Sequence, residues 1–427
     1  MSGTAGWRDF TARLFAQNQF AIKLGLESIA QALAREGSPQ RAHKAILIAG
    51  TNGKGSTAAF LAAILQAHGL RVGLYTSPHL IDLRERFRVD GRLLPQEIVE
   101  RVGRDVLDRF ADPLTSSPLL TFFELTTLMA ARLFAEQEVD VAVYEVGLGG
   151  RLDAVNAIEP CLSVITSIDF DHQRYLGDTI GAIATEKCGI FRADVPAVVG
   201  HQEHDEALRT ILALAPPNTR LFGRDFPETE SIIEQGSRSK VMERNALIAT
   251  EAARCHLGEA FDQGIAQVGL ARARWPGRMD ERPGSRISAR GRPVTYLLDA
   301  AHNPAGVSAL FEHLDMAGIA AGAIVVGAMA DKALEAMFSR LGERGVAIFG
   351  VTIENARAAT AEQLGAAIGS QLWRGAGSCA WALEAATHES AASGRPVLVF
   401  GSIYLLGECL TWLGVEPDDL VSYDAGQ

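Results

Sequence analysis

The sequence is poor in cysteine, and none of its cysteines pairs in the way that binds zinc or builds a disulfide framework. The five cysteines in 427 residues are far apart and form no C-x-x-C motif: Cys161, Cys188, Cys255, Cys379 and Cys409. A disulfide scaffold and a zinc knuckle both need closely spaced cysteines. Their absence argues against both classes and predicts a protein of a reducing compartment.

Long apolar runs and an excess of positive charge are missing too. No stretch approaches the roughly 18 uninterrupted apolar residues of a membrane span, and the start of the chain lacks the apolar core of a secretory signal. The net charge is −11 at pH 7, whereas nucleic-acid-binding domains carry clustered positive charge. We therefore expect a cytoplasmic protein without a membrane or nucleic-acid partner, and interpret Arg84, Arg86 and Arg88 as a solvated face.

Apolar, strand-like runs alternate with helix-length segments along the chain. Several of these runs are continuously apolar, which is typical of parallel strands buried on both faces. The alternation predicts a doubly wound α/β architecture. The strand candidates are AILIAG, RVGLYTS, VDVAVYEVG, CLSVITS, AVVG, VTYLLDA, AIVVGAM, VAIFGVT and PVLVFGS.

The alternation is interrupted once, by the Arg-, Gly-, Ser- and Pro-rich stretch ERPGSRISARGRPV. We predict a domain boundary there, near residue 285. This gives a first domain of residues 1–284 and a second of 285–427. The second domain holds four strand candidates with their helices, which is enough for a Rossmann-like unit.

The stretch AILIAGTNGKGSTAAFLAAIL, residues 45–65, has the organisation of a phosphate-binding loop. Glycines let backbone N–H groups approach a phosphate, the N-terminus of the following helix adds its positive dipole end, and a lysine supplies a mobile cation. The usual pattern G-x-x-x-x-G-K-[ST] is not matched, because Gly55 separates Lys54 from the hydroxyl residues. We predict phosphate binding by Gly50, Thr51, Asn52, Gly53, Lys54 and Gly55, with a hydroxyl from Ser56 or Thr57.

Acidic residues and a histidine follow two later strands. Glu145 ends the strand VDVAVYE, and Asp169, Asp171 and His172 follow the strand CLSVITS. Carboxyl ends of strands form the edge where α/β proteins bind their ligands. These side chains are therefore candidate ligands for the metal ion that a phosphate loop uses. Spacing alone assigns no role to Lys187, because a lysine on a helix is usually solvated.

Eight motifs occur in the order found in folylpolyglutamate synthases: GTNGKGS, TSPHL, EVGLGGRLDA, SIDFDHQRYLG, EKCGIFR, WPGR, DAAHNP and FGS. The chain thus resembles this family of the Mur-ligase superfamily, many bacterial members of which are also dihydrofolate synthases. The resemblance covers essentially the whole chain. It implies an N-terminal ATP-binding domain with a Mur-ligase-like phosphate loop and a C-terminal Rossmann-like glutamate-ligase domain. It also accounts for Gly55, since the folate branch places glycine after the lysine.

The resemblance implies an ATP-dependent ligation, in which a carboxylate is phosphorylated and the amine of L-glutamate then attacks the acyl phosphate. It implies two Mg²⁺ ions, with Lys187 carbamylated by carbon dioxide to become an anionic ligand. Lys54, His172 and Lys187 take the catalytic positions. The implied metal positions are Ser56, Ser77, Glu145, His172 and Lys187.

The resemblance also assigns nucleotide and folate positions. Beyond the phosphate loop, the nucleotide positions are Asn245, Arg278, Asp299 and His302. The positions for the pterin-bearing substrate are Lys23, Leu24, Phe122, Phe123, Glu124, Leu152, Asp153 and Ala154. Judged from the residues alone, an aromatic pair such as that at 122 and 123 belongs more often to a hydrophobic core than to a substrate platform.

The chain departs from the family at two places. At the substrate end, Arg84-Glu85-Arg86 replaces the common Asn-Glu-Arg. Before Asn245, the usual G-x-H-Q-style sequence is absent. We expect a monomeric ligase that adds L-glutamate to dihydropteroate, to reduced folates or to both. One alternative is an amide ligase of the same superfamily for a non-folate acid. Another is a nucleotide-dependent switch, which would need neither an acceptor pocket nor a second metal.

Overall fold

A computed structural model of the protein describes residues 5–17, 25–111, 119–227, 239–287 and 293–420. The described residues form two compact units that divide between Arg274 and Trp275. Each unit contains one β-sheet of mostly parallel strands connected by helices. This architecture confirms the predicted α/β fold with two domains. No helix within these ranges is long and apolar enough to cross a membrane.

The first unit is built on an eight-stranded sheet with the order β4-β3-β2-β5-β1-β6-β7-β8. The strands from β2 to β8 in this order run parallel, and β3 and β4 add an antiparallel edge. The strands are β1 (Lys44–Ala49), β2 (Val72–Tyr75), β3 (Phe87–Val89), β4 (Arg92–Leu93), β5 (Val141–Glu145), β6 (Leu162–Ile165), β7 (Ala197–Val199) and β8 (Thr219–Leu221).

Helices cover both faces of this sheet. Side chains of β1 alternate between two buried clusters, with Ala45, Leu47 and Ala49 in one and Ile46 and Ile48 in the other. This explains why β1 reads as a continuous apolar run. The helices are α1 (Ala5–Phe15), α2 (Glu27–Arg35), α3 (Lys54–Ala67), α4 (Gln96–Phe110), α5 (Phe122–Glu136), α6 (Gln173–Leu176), α7 (Ile180–Cys188), α8 (Asp205–Leu214), α9 (Lys240–Leu257) and α10 (Gln263–Arg272).

The central position of β1 brings three loops to one edge of the sheet. β1 lies between β5 and β6, with Ile48 opposite Glu145 and Ala49 opposite Ile165. Because these three strands are parallel, the phosphate loop, the loop after Glu145 and the loop after β6 all leave from the same edge.

The second unit is built on a six-stranded sheet with the order β13-β12-β11-β14-β10-β9. Buried side chains of α11, α12 and α13 pack against β11, β12 and β14. The strands are β9 (Asp280–Ile287), β10 (Pro293–Asp299), β11 (Ala323–Val326), β12 (Ala347–Val351), β13 (Trp373–Gly377) and β14 (Val397–Phe400). The helices are α11 (Pro304–Met316), α12 (Leu334–Phe338), α13 (Ala361–Ile368), α14 (Cys379–Ser393) and α15 (Ile403–Trp412).

All nine strands predicted from the sequence are present. The additional strands β3, β4, β8, β9 and β13 are short, or rich in arginine and glycine, and so lack the apolar pattern that indicates a buried strand. The second sheet therefore has six strands where the sequence indicates four.

The segment that indicated a domain boundary near residue 285 lies within β9, an edge strand that pairs antiparallel with β10. The two compact units divide earlier, between Arg274 and Trp275. Composition suggested a linker because this segment is polar and contains proline and glycine, which an edge strand tolerates. The predicted limits of 1–284 and 285–427 are thus displaced from the division that the contacts give.

Candidate active site

The phosphate loop joins the end of β1 to the start of α3, and two of its glycines have no space for a side chain. Gly50 has φ +150°, and a Cβ there would lie 1.9 Å from the Thr166 hydroxyl oxygen. Gly53 precedes α3 with φ +86°, and its Cβ would lie 2.5 Å from Oδ1 of Asn245. Only glycine fits these positions, so the loop backbone stays open to a ligand.

The loop is fixed to the segment that follows β6. The backbone N–H of Thr51 donates to the Ser167 carbonyl at 2.7 Å. The Thr51 hydroxyl donates to the Asp169 carbonyl and accepts from the Asp169 N–H, both at 3.0 Å. The Thr166 hydroxyl donates to the Asn52 carbonyl at 2.8 Å. These bonds hold the phosphate loop in one conformation relative to the loop that carries the predicted ligand His172.

Two lysines converge on the Gly50 carbonyl oxygen. The Lys54 ammonium donates to it at 3.0 Å and to the Thr51 carbonyl at 3.1 Å, and Nζ of Lys187 donates to it at 2.7 Å. Lys187 is 4% exposed. Its burial, with a contribution from the Lys54 charge, lowers the pKa of Lys187 to about 7. Sequence spacing gave Lys187 no role, whereas the structure places its amine at the phosphate loop.

Three polar side chains lie on or against the first turns of α3. The Ser56 hydroxyl donates to the Gly53 carbonyl at 3.1 Å, and Nδ2 of Asn245 donates to the Ser56 oxygen at 2.8 Å. Asn245 and Ser56 are both buried. The buried hydroxyl oxygen of Thr57 has no hydrogen-bond partner among the residues that the structure describes. The predicted nucleotide residue Asn245 thus lies at the phosphate loop.

The predicted metal ligands occupy the same edge of the sheet. Glu145 ends β5, is buried, and accepts a hydrogen bond of 2.9 Å from the Ser77 N–H. His172 is exposed in the left-handed conformation at the start of α6, and its ring nitrogen lies 3.7 Å from an Asp171 oxygen. The ranges described here contain no group of three or more His, Cys, Asp or Glu side chains arranged around a metal position. A ligand set of Ser56, Ser77, Glu145, His172 and Lys187 therefore stays a prediction.

The aromatic residues assigned to the substrate belong largely to the hydrophobic core. Phe122 is 3% exposed, and the Arg86 guanidinium lies 5.2 Å from its ring centroid. Phe123 is half-buried and packs against Gly147, where a Cβ would lie 2.6 Å from the Phe123 ring. Phe122 is therefore a core residue, while part of Phe123 is accessible.

The remaining substrate positions include two buried carboxylates. One oxygen of Glu124 caps α5 at Thr121, and the other is buried without a partner among the described residues. Asp153 accepts from the Leu148 and Val155 N–H groups at 2.8 and 3.0 Å, and burial raises the pKa of Asp153 to about 6. Leu152 is half-buried and Ala154 is buried, whereas Lys23 and Leu24 lie outside the described residues.

The interpretation of Arg84, Arg86 and Arg88 as a solvated face is wrong. All three are buried, with 8%, 4% and 5% of their surface exposed. Nε of Arg84 lies 3.1 Å from an Asp82 oxygen, and Nε of Arg86 donates to Nδ1 of His79 at 2.9 Å. Whether these side chains are exposed depends on how the segment after β2 packs. The alternation of apolar and polar residues in the sequence does not show this packing.

Three predicted nucleotide residues lie together in the second unit. Asp299 ends β10 and accepts from the Met279 and Ala301 N–H groups at 2.9 and 2.8 Å. Burial raises the pKa of Asp299, and the nearby Arg278 opposes this effect. Nδ1 of His302 lies 2.8 Å from the Ala300 carbonyl oxygen. Arg278, Asp299 and His302 thus surround the carboxyl end of β10.

Sequence reasoning assigned no role to Asn156, although it joins two segments of the site. Its Nδ2 donates to the Arg151 and Gly189 carbonyl oxygens, both at 3.0 Å. No spacing signal identifies such a residue, because its partners are 5 and 33 positions away along the chain.

Comparison with known proteins identifies both units. Residues 48–246 match the Mur ligase middle domain, and residues 277–403 match the Mur ligase glutamate ligase domain. The chain is 32% identical over 424 residues to the Escherichia coli dihydrofolate synthase/folylpolyglutamate synthase, covering 96% of this chain and 95% of that protein. It is 34% identical over 345 residues, 75% of this chain, to a probable bifunctional folylpolyglutamate synthase/dihydropteroate synthase of Haloferax volcanii, but spans only 40% of that protein.

Solved structures show the same similarity. Mycobacterium tuberculosis folylpolyglutamate synthase complexed with ADP has a TM-score of 0.86 at 29% identity, covering 97% of this chain and 99% of that chain. A bifunctional folylpolyglutamate synthase/dihydrofolate synthase from Yersinia pestis, complexed with AMPPNP and a Mn ion, has a TM-score of 0.79 at 29% identity. It covers 97% of this chain and 100% of that chain.

Proposed function

The chain belongs to the folylpolyglutamate synthase/dihydrofolate synthase family of the Mur ligases, and we propose that its phosphate loop and Lys187 form an acyl-phosphate-generating active site. It is an ATP-dependent ligase that adds L-glutamate to a folate. The observation that carries the proposal is the convergence of Lys54 and Lys187 on the carbonyl oxygen of Gly50.

Nucleotide binding follows from the phosphate loop. The N–H groups at the start of α3 are available to phosphate oxygens because a helix leaves its first N–H groups without helical partners. Lys54 holds carbonyl oxygens of the loop in this structure, and its flexible side chain can turn to neutralise the transferred phosphoryl group. The buried, unpartnered hydroxyl of Thr57 adds a donor of the kind that a phosphate oxygen accepts. Asn245 is the further nucleotide residue proposed in the first unit, and Arg278, Asp299 and His302 are those proposed in the second unit.

Ser56, Ser77 and Glu145 carry the hard oxygen atoms that Mg²⁺ prefers, and His172 adds one nitrogen. We assign Ser56, Ser77, Glu145, His172 and carbamylated Lys187 to two such ions. When bound, Mg²⁺ neutralises phosphate charge and aligns the phosphoryl group for transfer to the acid. The fold fixes the position of one of these ligands, since Glu145 is buried and accepts a hydrogen bond from the Ser77 N–H.

The environment of Lys187 favours carbamylation. A pKa of about 7 leaves a substantial fraction of Lys187 as the neutral amine at neutral pH, and only this form attacks carbon dioxide. The nitrogen forms a bond to carbon, one C=O bond of carbon dioxide becomes a C–O⁻ single bond, and the nitrogen loses a proton to water. The product is an anionic oxygen ligand next to the Lys54 cation. Below about pH 7 the protonated amine predominates, so the carbamate should be lost as the pH falls.

The acceptor acid is proposed to be dihydropteroate, a reduced folate or both. Leu152, Asp153, Ala154, Phe123 and Glu124 are the described residues proposed to contact it, with Lys23 and Leu24 added from the sequence. The attack of the acid carboxylate on the phosphoryl group needs alignment and charge neutralisation more than covalent help from the protein.

The test is an acceptor panel with purified protein. Dihydropteroate and tetrahydrofolate are each offered with L-glutamate and magnesium ATP, and ADP release and amide product are measured. We expect ADP release to require both the acid and glutamate. If no product forms from either acceptor, or if ADP is released at the same rate without glutamate, the proposal is contradicted. Turnover of a non-folate acid would favour the alternative ligase.

The contribution of Lys187 is tested with Lys187→Ala. We expect loss of ligation, with partial recovery when a short-chain carboxylic acid supplies the missing oxygen ligand. Lys44→Ala is the control, since Lys44 is exposed at the opposite end of β1. Activity of Lys187→Ala equal to that of the control would exclude Lys187 from the site.

We further propose that the enzyme is a monomer that acts in the cytoplasm. The net charge of −11 and the five widely spaced cysteines support a soluble protein of a reducing compartment. Sedimentation equilibrium should give a mass of about 45.7 kDa across a hundredfold range of protein concentration. A mass that doubles with concentration would contradict this proposal.

A further inference from the structure

The glycine-rich loop after β5 lies in close contact with the end of α7 that carries Lys187. A Cβ on Gly150 would lie 2.6 Å from the Lys187 carbonyl oxygen, and a Cβ on Gly189 would lie 2.3 Å from Cβ of Arg151. The Arg151 N–H donates to the Glu186 carbonyl at 2.7 Å. The position of the Lys187 backbone therefore depends on how this loop is held.

Asn156 is the side chain that bonds both segments. It is 6% exposed, and its Nδ2 donates to the carbonyl oxygens of Arg151 and Gly189 at 3.0 Å each. Nη2 of Arg192 donates to the carbonyl oxygen and to Oδ1 of Asn156, both at 3.1 Å. An amide has one acceptor oxygen and two donor hydrogens, so the arginine on one side and two carbonyls on the other fix its orientation.

We propose that Asn156 is a positioning residue that holds the backbone of Lys187 so that its side chain reaches the metal ligands at the phosphate loop. The inference rests on the proposed role of Lys187 as a carbamate ligand. Groups that orient a metal ligand without touching the metal typically change metal affinity by about ten- to a hundredfold when they are removed. Asn156 occupies this place relative to Lys187, because it bonds the residue two positions after Lys187 and the loop that packs on it.

The substitution Asn156→Asp isolates this role. Aspartate has the same shape and retains an oxygen for Arg192, but it replaces the donor NH₂ with an oxygen that faces two carbonyl oxygens. The loop and the end of α7 would then repel the side chain that now joins them. Gln66→Glu is the matched control, since Nε2 of Gln66 also donates to a backbone carbonyl, that of Asp90. Gln66 lies at the end of α3 that is away from the phosphate loop.

The experiment uses the full-length protein equilibrated with ¹³C-bicarbonate and measures the ¹³C NMR signal of the lysine carbamate. The half-saturating Mg²⁺ concentration for ligation is measured in parallel. For Asn156→Asp we expect the carbamate signal to fall by at least half and the half-saturating Mg²⁺ concentration to rise by about tenfold or more. Both readouts should stay at wild-type values in Gln66→Glu, even if its melting temperature falls as much.

Arg192→Lys is the second variant, because the partly exposed Arg192 can be replaced with less risk to folding. It removes the paired bonds that orient Asn156, and we expect a smaller shift of both readouts in the same direction. If both variants keep the wild-type carbamate signal and Mg²⁺ dependence, Asn156 has only a structural role and the inference is overturned. A wild-type protein without any carbamate signal would instead overturn the proposed function of Lys187, and the inference with it.

Discussion

At the scale of single residues, the Gly50 carbonyl oxygen is where the charges of the site are organised. Lys54 and Lys187 both donate to it, and a buried ammonium group at Lys187 so close to the partly exposed Lys54 cation is unfavourable. This repulsion is absent when Lys187 is neutral, which agrees with its pKa of about 7. Lys54 then remains the cation for phosphate, while Lys187 is available for conversion to a carbamate.

Replacing Lys54 by alanine should remove this cation from the phosphate loop. We expect Lys54→Ala to lose at least tenfold in kcat/KM, equivalent to about 1.4 kcal/mol of transition-state stabilisation. The thermal unfolding curve should change little, since Lys54 is partly exposed. Lys44→Ala, which changes an exposed lysine at the start of β1, should retain wild-type kinetics. A Lys54→Ala enzyme with more than a tenth of wild-type kcat/KM would show that the loop does not bind the reacting phosphates.

The buried hydroxyl of Thr57 gives a prediction that separates stability from ligand binding. Removing a buried hydroxyl that lacks a partner is neutral or stabilising, whereas removing a bonded one costs about 1 kcal/mol. Thr57→Val should therefore keep or raise the melting temperature of the ligand-free protein and reduce the further rise that ADP produces.

Thr250→Val is the control, because the buried Thr250 hydroxyl donates to the Ala246 carbonyl at 2.8 Å. The control should lower the melting temperature and leave the ADP effect intact. An unchanged ADP effect in Thr57→Val would remove Thr57 from the nucleotide site.

At the scale of elements, the site depends on close approach between loops and helices rather than on any one helix or strand. β1, between β5 and β6, sends the phosphate loop to an edge shared with two other loops. The glycines of the loop after β5 then allow it to pack directly on the end of α7. This contact between the backbones of a helix and a loop restricts the position of Lys187.

A methyl group at Gly150 should disturb this contact. Its Cβ would lie 2.6 and 2.8 Å from the carbonyl oxygens of Lys187 and Glu186, and backbone atoms cannot move aside cheaply. Overpacking of this kind costs about 1–3 kcal/mol, so we expect Gly150→Ala to destabilise the protein and to raise the half-saturating Mg²⁺ concentration.

Gly69→Ala is the matched control for this prediction. Gly69 has φ +87° with nothing within 4 Å of an added Cβ, so alanine there is strained but meets no atom. It should lower the melting temperature with wild-type Mg²⁺ dependence. Wild-type Mg²⁺ dependence in Gly150→Ala as well would mean that the contact serves stability alone.

At the scale of the whole molecule, each compact unit has its own sheet and core, and the stability of the first includes a buried histidine. Nε2 of His43 lies 2.8 Å from the Tyr144 hydroxyl, and its Nδ1 is buried without a partner in the described part of the chain. Burial lowers the pKa of His43 from 6.5 to about 4. The folded protein therefore keeps this ring neutral where the unfolded chain would protonate it.

The low pKa of His43 makes the stability of the protein depend on pH. Between pH 6.5 and about 4 the unfolded chain binds a proton at His43 and the folded protein does not, so stability falls as the pH falls through this window. The difference between a pKa of 6.5 and one of about 4 corresponds to about 3 kcal/mol. Urea unfolding at pH 7 and pH 4.5 should show a smaller loss for His43→Gln than for wild type. His388→Gln, at an exposed position, should lose as much as wild type. Equal losses in all three proteins would show that His43 does not titrate on unfolding.

The sequence by itself determined the α/β class, the nine main strands and the family, because apolar periodicity and ordered motifs are local properties of the chain. It also indicated the turn between β1 and α3 that precedes Lys54, for the same reason. Tertiary structure alone decided that Lys187 is buried against Gly50, that Asn156 bonds Arg151 and Gly189, and that Arg84 and its neighbours are buried. It also placed the segment near residue 285 in an edge strand of the second sheet. Each of these depends on contacts between residues distant in sequence, and burial, which sets the pKa of Lys187, exists only once those segments have packed.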